Sequence, residues 1–122
     1  MIDHVILRVK DLAASRRFYE AALGPLGYGV VMEFPEAVAF GDAERPEFWI
    51  GDGEPRTEAV HLAFRCRDRN VVDAFYEAGL TAGGRDNGPP GIREQYHPSY
   101  YGAFVLDPDG NNIEAVCHAP EA

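Results

Sequence analysis

The chain has 122 residues, 46% hydrophobic and 25% charged, which is enough for one core-bearing domain, and neither half of about 60 residues would be stable alone. With 20 acidic against 11 basic residues its formal charge is −9, which excludes nucleic acid and anionic membrane as partners, since both require a positive face. A small molecule or another protein is the expected partner. No window approaches 18 consecutive apolar residues, and Met1-Ile2-Asp3-His4 is not a basic leader ahead of an apolar run, so a cytoplasmic location is expected. Two cysteines, Cys66 and Cys117, stand in no metal or disulfide spacing and read as reduced, buried apolar side chains.

Residues 4–9 are short and rich in β-branched side chains, which predicts a strand. Period-two alternation sends Val5, Leu7 and Val9 to a helix-packed face and His4, Ile6 and Arg8 to the other. Asp11 caps a helix through about Leu23, which Gly24-Pro25 ends. Strands follow at about 29–34, 37–41 and 47–51, and the polar stretch 51–58 is a linker.

The second half repeats this order. Shifting by 57 residues carries His61, Arg65, Asp68, Phe75, Tyr76, Glu77, Ala78 and Leu80 onto His4, Arg8, Asp11, Phe18, Tyr19, Glu20, Ala21 and Leu23, 8 identities in 20 positions. Unrelated segments would share roughly one. Two copies exclude a solenoid and predict two similar modules, about 1–53 and 58–122, closing into a single domain. The second module reads as strand 60–66, a helix of 69–79 stopped by Gly79, a long loop of 83–99, and strands 100–106 and 112–118 joined by a structural turn, Asp107-Pro108-Asp109-Gly110.

The chemistry lies on the faces opposite the helices. The leading strand of each module places a histidine there, His4 and His61, and the last strand places Glu114 in the same phase. Converging, they would form a two-histidine, one-carboxylate site for one divalent ion, Fe, Mn, Ni, Co or Zn, with positions open to water or substrate. A single strand histidine is commonly a plain polar residue, and its repetition is what singles out this pair. Arg8 and Arg65 share that face, where they would bind a substrate anion or pair with nearby acids. Trp49 and Tyr101 would line an apolar pocket, and His97 in the long loop is a candidate proton carrier.

The pattern of His4, Val9, Asp11, Ser15, Phe18 and Tyr19, together with Asp107-Pro108-Asp109-Gly110-Asn111-Asn112-Ile113-Glu114, resembles the glyoxalase, bleomycin-resistance and extradiol-dioxygenase superfamily, the vicinal oxygen chelate fold. The resemblance spans the whole chain. It implies an α+β fold of two βαβββ modules in an open, cup-shaped mixed sheet with helices on the outer face, with His4, His61 and Glu114 as metal ligands, Glu114 also catalytic, and a homodimer. Members that isomerise hemithioacetals carry a fourth ligand, a glutamate used as a base, where this chain has Trp49, and Glu47 would replace it only through a register slip. The tyrosine of ring-cleaving dioxygenases is Phe104 here, and the lysine of fosfomycin enzymes has only Arg85 and Arg93 near its place. The implied function is a metal-dependent small-molecule enzyme of lyase, isomerase or dioxygenase type. The alternative is a metal-free protein that sequesters a drug or metabolite, as bleomycin-resistance proteins do.

Overall fold

The computed structural model describes residues 1–43 and 45–120. In chain order the elements are β1 (Val5–Arg8), α1 (Leu12–Leu23), β2 (Gly29–Phe34), β3 (Ala37–Gly41), β4 (Phe48–Gly51), β5 (His61–Arg65), α2 (Arg69–Thr81), β6 (Arg85–Ile92), β7 (Tyr101–Leu106) and β8 (Asn112–Cys117). A 3-10 turn at Gly24–Leu26 follows α1. The strands form two four-stranded mixed sheets, ordered β1-β4-β3-β2 and β5-β8-β7-β6. In each, the first strand runs parallel to the last and the other pairings are antiparallel. The expected α+β fold of two βαβββ modules is therefore the one the chain forms.

Local chemistry accounts for the repeat. Asp11 and Asp68 are extended N-cap residues whose carboxylates accept from Ala14 N–H and Val71 N–H, so α1 and α2 start 57 residues apart for the same reason. Each helix covers its own sheet and also touches the other helix. Phe18, Tyr19, Ala22 and Leu23 of α1 and Val71, Val72 and Phe75 of α2 are buried with Leu7, Ile50, Val105 and Ile113 in one shared core. Phe48 of β4 meets Phe64 of β5 edge-on at 5.5 Å, joining the two sheets through their helix-packed faces. At about 1.5–3 kcal/mol for each large side chain buried, most of the apolar stabilisation lies in an interior that both halves share. It also turns the helix-free faces of both sheets, which carry His4, Ile6 and Arg8 or His61, Ala63 and Arg65, to the outside.

The turn before β8 connects the modules as well as the strands. Asp107, 1% exposed, accepts from Asp109 N–H, Asn111 N–H, the Asn111 side-chain amide and the Tyr19 hydroxyl at 2.5 Å. Asn111 Oδ1 in turn accepts from Val60 N–H, and Asp109 Oδ1 from Lys10 N–H.

Two sequence expectations change. Gly79 does not stop α2: it is buried inside the helix, against Phe18 and Val105. The helix runs on to Thr81 and ends in a Schellman arrangement, with Gly83 at φ +102°, Gly84 N–H on Gly79 O and Gly83 N–H on Leu80 O. Nor is 83–99 wholly a loop, because Arg85–Ile92 forms edge strand β6. Pro89 and Pro90 lack donors, which an edge strand tolerates, and two register shifts flank Gly88 at φ +147°.

Cys66 and Cys117 are free and buried, as expected. Burial, then the neighbouring Cys117, pushes the Cys66 thiol up from 9.0 to about 11. Since the fold favours the neutral thiol, the stability this contributes is intact below pH 9 and is lost as pH rises through about 11. Alkylation of native protein at pH 8 should label neither cysteine within minutes, and urea should expose both; rapid native labelling of both would contradict this placement.

Candidate functional site

On the second module, alternation along three neighbouring strands places His61, Ala63 and Arg65 of β5, Asn112, Glu114 and Val116 of β8, and Gly102 and Phe104 of β7 on the helix-free face. His61 Nε2 lies 2.8 Å from Glu114 Oε1. The other carboxylate oxygen, Oε2, accepts a short hydrogen bond from the Tyr100 hydroxyl. Glu114 is 1% exposed, although the His61 ring beside it is half-exposed. Burial and then the bond to Glu114 raise the Tyr100 pKa, so the phenol stays a neutral donor. A buried carboxylate answered by one imidazole and one phenol is incompletely compensated, and a cation beside it would offset its desolvation.

Gly102 makes that arrangement possible. A Cβ there would stand 3.2 Å from Tyr100 Cε1 and 3.3 Å from Glu114 Oε2. Gly102→Ala should therefore displace the Tyr100 ring or the carboxylate and cost about 1–2 kcal/mol in urea unfolding. An unchanged midpoint would mean that the ring moves aside freely.

Around this pair stand Arg93, His97 and His118. Arg93 donates to Pro89 O at 2.7 Å and lies over the Phe104 ring, whose centroid is 6.0 Å from that of His61. His97 Nδ1 accepts from Ser99 N–H, so the ring proton is on Nε2, which donates to His118 Nδ1 at 2.8 Å. Both rings pack edge-on against Tyr100.

The first module presents His4, Ile6, Phe34 and Trp49. His4 Nδ1 bonds to Asp3 Oδ1 at 2.6 Å, which leaves Nε2 as the free lone pair. A cavity of about 530 Å³ is lined by Asp3, His4, Ile6, Phe34, Glu36, Ala37, Pro46 and Trp49. Ile6 and Phe34 are 48% and 47% exposed there.

Of the residues singled out in the sequence, the structure brings His61 and Glu114 together and leaves His4 on the other sheet. Among the described residues, no group of three or more His, Cys, Asp or Glu side chains within one chain could hold a metal ion. Trp49 lines the cavity with His4, whereas Glu47 accepts from the Tyr28 hydroxyl at 3.5 Å and lies 4.0 Å from Arg45. Arg8 and Arg65 are exposed on the helix-free faces, and Arg8 is laid against Gly53. Tyr101 points to the helix side, where its hydroxyl donates to Asp73 Oδ1 and Arg69 covers its ring. His97 pairs with His118 instead of reaching Glu114. Sequence reasoning did not assign roles to Tyr100, Gly102, Asp3 and Phe34. The apolar phase of Ala103 and Val105 is a signal that puts 100, 102 and 104 on the site face.

Residues 1–115 match the family described as Glyoxalase/Bleomycin resistance protein/Dioxygenase superfamily. No curated protein matches the chain. Among solved structures, a glyoxalase/bleomycin resistance protein from Albidiferax ferrireducens is 32% identical with a TM-score of 0.83, over 96% of this chain and 98% of that one. A glyoxalase-related enzyme from Fulvimarina pelagi is 23% identical with a TM-score of 0.76, over 96% and 87% of the two chains. A lactoylglutathione lyase from Agrobacterium tumefaciens is 21% identical with a TM-score of 0.69, over 96% and 92%. The last two likenesses bear on the fold alone.

Proposed function

Because the chain belongs to the glyoxalase/bleomycin resistance protein/dioxygenase superfamily, we propose that it is a metal-dependent enzyme acting on a small molecule with two vicinal oxygens, built as a homodimer. One divalent ion, Fe, Mn, Ni, Co or Zn, would be held by His61 and Glu114 of one chain and His4 of a second copy. The observation that carries this reading is Glu114, a carboxylate buried on a strand and facing an imidazole nitrogen at 2.8 Å. The donor set fits, since imidazole and carboxylate suit first-row divalent ions and ligands of one ion stand about 3 Å apart. When bound, such an ion supplies Lewis-acid stabilisation of negative charge developing on substrate oxygen.

The chain's own residues do the rest. Tyr100 occupies Glu114 Oε2 and so turns Oε1 toward His61. Asp3 holds the His4 ring in the tautomer whose Nε2 is open. Trp49 stands where a fourth carboxylate would be needed, and Glu47 is turned to Tyr28, which argues against proton abstraction by a ligand glutamate. His97 would carry protons only after leaving His118, because both its ring nitrogens are engaged.

The dimer is supported by the outward placement of both helix-free faces and by the exposed Ile6, Met32, Phe34 and Ile92. Light scattering at micromolar concentration should give twice 13.4 kDa. A second reading, sequestration of a small molecule without metal, draws on the aromatic cavity of the first module. The deciding comparison is metal content and melting temperature of untagged wild type, His61→Ala and Glu114→Gln. Wild type should gain about 2.7 kcal/mol from metal at a hundred times its dissociation constant, and the variants far less. If all three hold the same trace of metal and none is stabilised by Mn²⁺, Ni²⁺, Zn²⁺ or anaerobic Fe²⁺, the sequestration reading replaces the enzyme.

A further inference from the structure

The cavity of the first module has a chemistry of its own. Its walls are two carboxylates, Asp3 and Glu36, and two aromatic rings, Phe34 and Trp49, which lie within 11° of parallel with centroids 6.2 Å apart. No lysine or arginine lines it. The strand register orders these groups along the groove. Ile6 is level with Trp49 and Arg8 with Gly51, and Gly51 is level with Ala37, which pairs with Phe34. Glu36, next to Ala37, is thus at the Arg8 end, and Asp3 and His4 are at the other, four residues or roughly 13 Å away. Phe34 is at the Arg8 end and Trp49, level with Ile6, lies between the two ends, and between their strands β3 offers only the small side chains of Ala37 and Ala39.

We propose that this groove binds a flat aromatic ring carrying a basic nitrogen, with the ring against Trp49 and Phe34 and the cation toward Glu36. This names the substrate class of the site proposed above and rests on that reading for where the oxygens of the ligand lie, at the His4 end. The recognition itself needs no metal. An aromatic slab extends the Phe34–Trp49 stack, and a ring-borne cation is favoured both by the indole face and by the carboxylates. The net charge of −9 favours approach of such a cation and disfavours an anion of the same shape. Arg8 is laid against Gly53 and does not line the cavity, and Arg93 of the second module's face is held by Pro89 O and Phe104.

Trp49 is the single tryptophan, so its fluorescence reports this groove directly. The test titrates the full-length protein with 2-naphthylmethylammonium and with 2-naphthoate, which share shape and differ in charge, in buffer containing EDTA. The ammonium should change Trp49 emission saturably and bind about tenfold more tightly than the carboxylate. Glu36→Gln should remove most of that preference, and Glu77→Gln, an equal loss of charge on an exposed face of α2, should not. Equal binding of the two probes, tighter binding of naphthoate, no response of Trp49 to either, or an undiminished preference in Glu36→Gln would overturn the proposal. Because metal is chelated throughout, each of these outcomes is independent of metal content, and a failed metal site would leave the ammonium preference in place.

Discussion

Mixing His4→Ala protein with Glu114→Gln protein should restore about one quarter of the wild-type metal sites, although neither variant alone holds metal above background. In the proposed dimer each site takes His4 from one chain and His61 with Glu114 from the other. A His4→Ala homodimer then lacks the first ligand at both sites, and a Glu114→Gln homodimer lacks the carboxylate charge at both. A mixed dimer has one site with both lesions and one with neither. Random exchange makes half of the dimers mixed, so one site in four is complete. The loss in each parent should be large, because Glu114 is 1% exposed and its charge is what would balance the ion away from water. Glu114→Gln keeps the shape, so its melting temperature without metal should stay near wild type. Metal content and metal-induced stabilisation of the 1:1 mixture, after exchange at low concentration, give the answer. A mixture as empty as its parents, from variants that remain dimeric and folded, would rule out a shared site.

Which face each histidine occupies was legible from the alternation of Val5, Leu7 and Val9 and of Leu62, Phe64 and Cys66, because apolar side chains on every second residue leave only one face for the core. The paired caps Asp11 and Asp68 made the helices equally plain. Periodicity does not encode whether two outward faces meet within a chain or between chains. His4 and His61 therefore read as convergent, whereas the shared helix layer separates them. Strand β6 was hidden by Pro89 and Pro90, which spoil a local strand pattern but cost an edge strand little. The 57-residue offset carries 29–34 onto 86–91 and would have revealed it. Tyr101 was assigned to the cup by its chemistry rather than its phase: Ala103 and Val105 are buried, so 101 faces α2 and 100 faces Glu114.

Asp107→Ala should be the most destabilising polar substitution in the chain, at about 4 kcal/mol, and it should act on both modules. The carboxylate answers Asp109 N–H, Asn111 N–H, the Asn111 amide and the Tyr19 hydroxyl, and each bond to a charged acceptor contributes about 1.5–3 kcal/mol, although four at one centre do not add fully. Alanine leaves these donors without an acceptor in a buried turn, and it frees Asn111, whose Oδ1 holds Val60 N–H at the start of β5. Tyr19→Phe removes one bond from the same centre and should cost about 1.5 kcal/mol. Burial and then Asp107 raise the Tyr19 pKa well above 10.0, so the stability from its neutral phenol is present below pH 10 and is lost as pH climbs further. Urea unfolding of wild type, both single variants and the double variant at neutral pH measures the coupling. The double variant should cost little more than Asp107→Ala alone, since the Tyr19 hydroxyl has then already lost its partner. A cost below 1 kcal/mol for Asp107→Ala, or strict additivity of the two, would mean that water satisfies the turn and that the modules are held together by the apolar core alone.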